Sequence, residues 1–243
     1  YLLEQFADHD LILEKIKQVV VRGDYTLGSS VDSLEKEYAS LIGTKHAIGV
    51  GSGTDALFLS LKVLGVDKGD EVITTPFTFV STSEAIVMLG ARPVYVDIDP
   101  ETYLLDINSV YELLEASPKG TYSGVIPVDF AGRAVDLEAY RKLANQYGLW
   151  IIEDACHAPG GSFVKSNGHE SKCGSGEFAD LAIFSFHPVK HIASGEGGMI
   201  TTDDDELADK LRILRNHGVV GNEVLVDGLD YGVTSMVYNT NYI

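Results

Sequence analysis

Leu149-Trp150-Ile151-Ile152-Glu153-Asp154-Ala155-Cys156-His157 is the stretch that decides the fold. Its first part is apolar at successive positions, so both faces of the strand must be covered. Gly124-Val125-Ile126-Pro127-Val128 reads the same way. Outward from these two, short β runs alternate with helical stretches, the rhythm of an α/β chain. The predicted strands are Ala47–Gly51, Glu71–Thr75, Arg92–Asp97, Gly124–Asp129, Leu149–Glu153, Leu181–Ser185 and Gly198–Thr202. Helices are predicted near Asp55–Leu64, Ser81–Leu89, Ile107–Ala116, Asp136–Tyr147 and Asp205–His217. Two amphipathic helices precede them: Ile12, Ile16, Val19 and Val20 recur at helical spacing, and so do Val31, Leu34, Tyr38 and Leu41. The expected architecture is an N-terminal helical arm (residues 1–45) and one large α/β domain (46–243) with a mostly parallel sheet of about seven strands, helices on both faces. Lys165–Glu177 is polar and Gly-rich and is expected to be a mobile loop.

The chain has 243 residues, 45% of them apolar, and a net charge of −18. Phosphate contacts need Lys and Arg, so an acidic chain without a basic cluster is not a nucleic-acid binder. Two cysteines, Cys156 and Cys173, exclude a disulfide framework and suit a reducing cytoplasm. No apolar run approaches the roughly 18 residues of a membrane span, and Tyr1-Leu2-Leu3-Glu4 does not read as a signal peptide. The chain opens without Met and closes at Asn241-Tyr242-Ile243, so pieces are expected to be missing at both ends.

Ligands of open α/β sheets sit beyond the carboxyl ends of the strands, and four such ends carry chemistry. Gly51-Ser52-Gly53-Thr54-Asp55-Ala56 runs from a strand into a helix, where small residues and a helix N-terminus cradle phosphate. It also fits the dinucleotide pattern G-x-G-x-x-A, but that pattern wants an acidic residue closing the second strand. Asp70 and Glu71 open that strand instead, so phosphate without a dinucleotide is the better reading. Phe77 and Phe79 in Thr75-Pro76-Phe77-Thr78-Phe79 stand where an aromatic could stack on a planar ring, or could simply pack. Asp154 closes the fifth strand, where a carboxylate can hold a proton on a ring nitrogen. A metal site from Asp154, Cys156 and His157 is disfavoured, because three ligands on one short extended segment cannot converge on one ion. Lys190, within Phe184-Ser185-Phe186-His187-Pro188-Val189-Lys190-His191 and ahead of Gly195-Glu196-Gly197-Gly198, has the surroundings of an amine used for Schiff-base chemistry. A phosphate cradle, an aromatic, a carboxylate and a lysine at one sheet edge are what pyridoxal phosphate requires.

With Thr74-Thr75-Pro76-Phe77-Thr78-Phe79 and Glu153-Asp154-Ala155-Cys156-His157-Ala158, these runs closely resemble the DegT-type sugar aminotransferases, which are fold type I, pyridoxal-phosphate-dependent enzymes. The resemblance covers nearly the whole chain in order. It implies that Lys190 carries the cofactor and moves the catalytic proton, that Asp154 pairs with the pyridine nitrogen, and that His157 approaches the ring oxygen. Phe79 would stack on the ring, and Gly53, Thr54, Asp55 and Ser185 would hold the phosphate. Asn241, with Asn239 as the alternative, matches the residue that reaches the phosphate of a neighbouring subunit, although Ile243 stands where the family has Arg. Lysine at 190 separates this chain from the dehydratase branch, which carries His there. The resemblance further implies a homodimer with shared active sites, a small C-terminal domain beyond this chain, and glutamate as amino donor. The implied acceptor is a nucleotide-linked keto sugar, with the 187–198 segment closer to members acting on 4-keto sugars and supplying amino sugars for a surface polysaccharide or a glycosylated natural product. A non-nucleotide cyclic ketone, such as a cyclitol or an aminobenzoate precursor, is the alternative substrate. A non-catalytic regulator of the same fold is the alternative class.

Overall fold

The computed structural model describes residues 4, 6–220 and 223–224. Asn239, Asn241 and Ile243 lie outside them. Helices α1 (His9–Arg22) and α2 (Ser29–Ile42) lead into β1 (His46–Val50), α3 (Gly53–Val63), β2 (Glu71–Thr74), α4 (Ser81–Met88) and β3 (Arg92–Tyr95). Then come α5 (Ile107–Glu115), β4 (Gly124–Val125), α6 (Leu137–Tyr147), β5 (Trp150–Asp154), β6 (Ser162–Val164) and β7 (Glu170–Lys172). The last elements are β8 (Leu181–Ser185), β9 (Gly198–Thr202), α7 (Asp205–Leu214), β10 (Val219–Val220) and β11 (Glu223–Val224).

Seven strands form one sheet in the order β1-β9-β8-β5-β4-β2-β3. β2, β3, β4, β5 and β8 are parallel, whereas β9 is antiparallel to both β8 and β1. The mostly parallel sheet read from the sequence is therefore present. Successive strand residues feed opposite layers, as the two-residue period demands. Ile48, Val72, Ile126, Ile152, Ile183 and Ile200 pack with Leu57 and Leu61 of α3, Ile86 of α4 and Leu211 of α7. Their neighbours Ile73, Val125 and Ile151 pack with Val110 and Leu114 of α5 and Tyr140 and Leu143 of α6. At the other end of that second face, Ala182, Phe184 and Met199 meet Tyr38 and Ile42 of α2. Each such aliphatic side chain contributes about 1.5–3 kcal/mol on burial.

Helix starts are set by side-chain caps: Ser52, Asp106, Asp136 and Asp204 accept N–H groups of α3, α5, α6 and α7. Glu35 on α2 and Arg215 after α7 form a nearly buried ion pair that also grips β1, Glu35 Oε1 accepting from Gly49 N (2.8 Å) and Arg215 Nη1 donating to Gly49 O (3.0 Å).

Two local expectations are corrected. The 165–177 segment is not a mobile loop: its β7 pairs with β6 just before it, Glu138 accepts from Ser166 N (2.7 Å), and Lys165 bonds Glu177 (2.7 Å). Turn residues hid two three-residue strands too short to show a period. The fourth strand, read to Asp129, is regular only over β4, because Pro127 has no N–H to give the ladder. Its path continues in hydrogen bonds all the same, Asp154 N donating to Pro127 O and Asp129 N to Asp154 O, each 3.0 Å. Helix α1 is amphipathic but buries none of its residues. No helix among the described residues is long and apolar enough to cross a membrane.

Gly198 opens β9 against the turn that leads into α3. A Cβ there would lie 2.3 Å from Ser52 O and 2.9 Å from Gly53 N, both backbone atoms that cannot swing aside. Gly198→Ala is expected to cost about 1–3 kcal/mol as overpacking, read as a lowered urea midpoint.

Candidate active site

The carboxyl ends of β1, β2, β5 and β8 meet at one edge of the sheet, joined there by the start of antiparallel β9. A cavity of about 280 Å³ opens at this edge. It is lined by Gly53 and Thr54 from the start of α3, Phe79 and Thr82 from the approach to α4 and its first turn, Asp154 and His157 from the end of β5, and Ser185 and Lys190 from the end of β8. Seven of the residues singled out in the sequence thus converge, with Thr54, Phe79 and Ser185 joining Gly53, Asp154, His157 and Lys190.

Gly53 is required by contact. A Cβ at this position would lie 2.8 Å from Ser185 Cβ and 3.4 Å from Cys156 Sγ. The absent side chain lets the positive end of α3 sit directly against the Ser185 hydroxyl, an arrangement with the donors that an anion would need. Thr54 Oγ1 bonds Ser81 Oγ at 2.8 Å, tying α3 to α4. Asp55 stands apart. Its N–H donates to the capping Ser52 Oγ (3.0 Å), and its exposed side chain borders a neighbouring cavity of about 630 Å³ lined by Leu27, Val31 and Arg215.

Asp154 is the buried charge of the site, 5% exposed. Thr82 Oγ1 donates to its Oδ2 (3.0 Å), and Cys156 N approaches Oδ1 (3.3 Å). Because the Thr82 proton is committed to Asp154, the 3.0 Å contact between Thr78 Oγ1 and Thr82 Oγ1 has Thr78 as donor. Cys156 is packed behind the carboxylate. Burial first, and then the Asp154 charge, pushes its thiol well above the ordinary range, which fits a packed side chain and not a nucleophile.

Half-buried His157 accepts a hydrogen bond from Ala131 N at Nδ1 (3.2 Å). Burial, reinforced by the Lys190 charge and opposed by Asp154, lowers its pKa below the usual 6.5. The ring is neutral at pH 7 with its proton on Nε2, so it offers one N–H donor. Phe79 is 70% exposed beside the cavity. Phe77 lies behind it in an aromatic cluster, 4.4 Å from Phe130 and 5.9 Å from Tyr103 between ring centroids.

Lys190 rides on the connection between β8 and β9. This segment is shaped by its own hydrogen bonds: Phe186 N to Gly197 O (2.8 Å), Ser194 N to Phe186 O (2.9 Å) and Lys190 N to His187 O (2.9 Å). Glu196 also borders the cavity. Sequence reading did not single out Thr82, whose role depends on α4 lying over the end of β5, or Ser52, the cap of α3. The usable signal for Ser52 was its place three residues before Asp55, whose N–H it accepts.

Residues 7–236 match the model of the DegT/DnrJ/EryC1/StrS aminotransferase family. The chain is 43% identical over 207 residues to the spore coat polysaccharide biosynthesis protein SpsC of Bacillus subtilis, covering 85% of this chain and 50% of that protein. It is 41% identical over 216 residues to the UDP-2-acetamido-2-deoxy-3-oxo-D-glucuronate aminotransferase of Pseudomonas aeruginosa, covering 88% of this chain and 57% of that one. Among solved structures, ntdA from Bacillus subtilis with bound cofactor PMP superposes with a TM-score of 0.79 at 32% identity, over 89% of this chain and 47% of the other. The chain therefore spans about half the length of the curated relatives it matches.

Thr82→Val keeps the shape of the side chain and removes the donor to Asp154 Oδ2. A buried carboxylate left short of a donor is expected to cost about 1–3 kcal/mol, measured by chemical denaturation.

Proposed function

Because the chain belongs to the DegT/DnrJ/EryC1/StrS aminotransferase family, we propose that it carries the cofactor site of a pyridoxal-phosphate-dependent aminotransferase. The proposed reaction converts a keto sugar carried on a nucleoside diphosphate to the amino sugar, with glutamate as donor. The observation that carries this reading is the convergence of Asp154 and Lys190 on one cavity that also takes in the N-terminus of α3.

The donor set suits the group. The close approach of the α3 start to the Ser185 hydroxyl, which a Cβ on Gly53 would block, supports a phosphate position there. A buried carboxylate, an exposed aromatic and an amine border the same space. When bound, pyridoxal phosphate supplies an electron sink for the carbon that loses or gains the amino group. The chain supplies the rest. Asp154, held by Thr82, keeps a proton at the ring nitrogen. His157 offers Nε2–H to the ring oxygen, its Nδ1 being occupied by Ala131 N. The start of α3, with the Ser185 hydroxyl, holds the phosphate, and Phe79 covers a ring face. Lys190 Nζ would be the amine that holds the cofactor and, once released, the base that moves the proton at the substrate carbon in both half-reactions.

A 4-keto-6-deoxy sugar is the proposed acceptor, supported by the likeness of His187-Pro188-Val189-Lys190-His191 and Gly195-Glu196-Gly197-Gly198 to members acting at that carbon. The Pseudomonas aeruginosa relative, named for a 3-oxo sugar, favours a 3-keto acceptor as the second reading. The proposed working form is a cytoplasmic homodimer. Leu11, Leu13 and Ile16 on α1, together with Val87 and Met88 on α4, are more than half exposed and support an apolar face covered by assembly.

Borohydride reduction of the full-length protein with pyridoxal phosphate, followed by peptide mapping, is expected to place the pyridoxyl adduct on Lys190. No adduct, or adducts scattered over other lysines, overturns the reading. Lys190→Ala should lower transamination by at least about 10²–10⁴-fold. Glutamate-dependent amination of 4-keto against 3-keto nucleotide sugars, read by mass spectrometry, decides the acceptor.

A further inference from the structure

Glu153 and Asp154 are neighbours on β5 and therefore face opposite sides of the sheet. On the side away from the cavity, Glu153 meets Asp129 and Cys173. The ligating atoms of the three all lie within 4.8 Å of one another. Asp129 and Glu153 are 0% and 2% exposed. Each carboxyl has one oxygen satisfied by backbone: Val135 N donates to Asp129 Oδ1 and Gly174 N to Glu153 Oε2, both at 2.8 Å. The other two oxygens, Asp129 Oδ2 and Glu153 Oε1, are fully buried and make no hydrogen bond among the described residues, with only the weakly donating Cys173 thiol beside them.

Two dehydrated anions at this separation repel strongly, and two orphan acceptors leave a further penalty. One proton removes both costs, because a carboxylic acid donates and a carboxylate accepts. We propose that Asp129 and Glu153 share a single proton between Asp129 Oδ2 and Glu153 Oε1, and that this pair is the positioning element that fixes the end of β5 under Asp154. The pair then carries one charge.

Burial pushes both carboxyls up, and the Asp129 charge pushes Glu153 further. The Val135 N–H opposes the rise at Asp129, and the Gly174 N–H opposes it at Glu153. A divalent cation is the competing occupant. Burial, with the two carboxylates adding to it, pushes the Cys173 thiol up and keeps it protonated, and two carboxylate oxygens alone are too few ligands.

The positioning role follows from the backbone. Asp129 N donates to Asp154 O, and Asp154 N donates to Pro127 O. The segment that carries Asp129 is thus bonded to β5 twice through the main chain. The shared proton adds a third tie from the opposite face, one residue from the carboxylate that borders the cavity. This role rests on the proposed function, whereas the proton itself does not.

Infrared spectroscopy of the cofactor-free full-length protein at pH 7 tests the proton. The C=O band of a buried carboxylic acid is expected in the wild type and lost in both Glu153→Gln and Asp129→Asn. Absence of the band, its survival in both variants, or one equivalent of bound divalent metal by elemental analysis overturns the shared proton. Pyridoxal phosphate titration tests the positioning. Glu153→Gln, whose amide donates to Asp129 in place of the shared proton, should bind within about threefold of wild type, and Glu153→Asp, withdrawn from Asp129, should bind about tenfold more weakly. Equal binding by Glu153→Asp overturns the positioning role even if its melting temperature falls. A wild type that does not bind pyridoxal phosphate refutes the functional reading and leaves the infrared result to decide the proton.

Discussion

The two-residue period of one central strand organises this molecule. β5 lies between β4 and β8, and its last two residues, Glu153 and Asp154, are buried acids on opposite faces. Neither can be hydrated, so each must find its partners within the protein. Asp154 finds them in Thr82 of α4 and the N–H of Cys156, and Glu153 in the N–H of Gly174 and in Asp129. The helical layer on one side and the 161–174 turn and hairpin on the other are therefore tied to the same few atoms. Moving β5 by one residue would exchange the two acids and undo both sets of contacts.

Close backbone approach is the second condition. The turn into α3 reaches the sheet edge because Gly198 and Gly53 present no Cβ, and a Cβ at either position would collide with Ser52 or Ser185. That approach brings the positive end of a helix and a strand-end hydroxyl to the mouth of the cavity, opposite in sign to Asp154. The electrostatics of the site then divide by burial. His157, dehydrated and beside Lys190, is held neutral and accepts from Ala131 N, whereas Asp154 is supplied with donors from side chain and backbone.

Much of this was legible in the chain. The β runs around Ile73, Ile126, Ile152, Ile183 and Ile200 are apolar enough to declare a doubly covered sheet. Gly53, Asp154, His157, Ser185 and Lys190 were marked by residue type at strand ends, which is where an open α/β sheet puts its ligands. Asp55 was harder. Its side chain turns to a second cavity, and its N–H is spent on the cap of its own helix. The β6–β7 hairpin was hidden because three-residue strands carry no readable period, and Glu138 and Glu177 fasten it through side chains distant or local in sequence alike.

Local sequence alone was sufficient for the order of the seven main-sheet strands and the helices between them, the parallel α/β class and most of the chemical inventory of the site, because hydrophobic period, turn residues and caps act over a few neighbours. Only the folded chain decided which groups meet. The ties of Thr82 to Asp154, Ser81 to Thr54, and Arg215 to Glu35 and Gly49 span long stretches of chain and leave no mark on local pattern. The same is true of Asp129 and Glu153, two acids in separate β runs, each unremarkable in its own segment. Their burial side by side is a property of the sheet, and the sheet alone imposes the need for a proton between them.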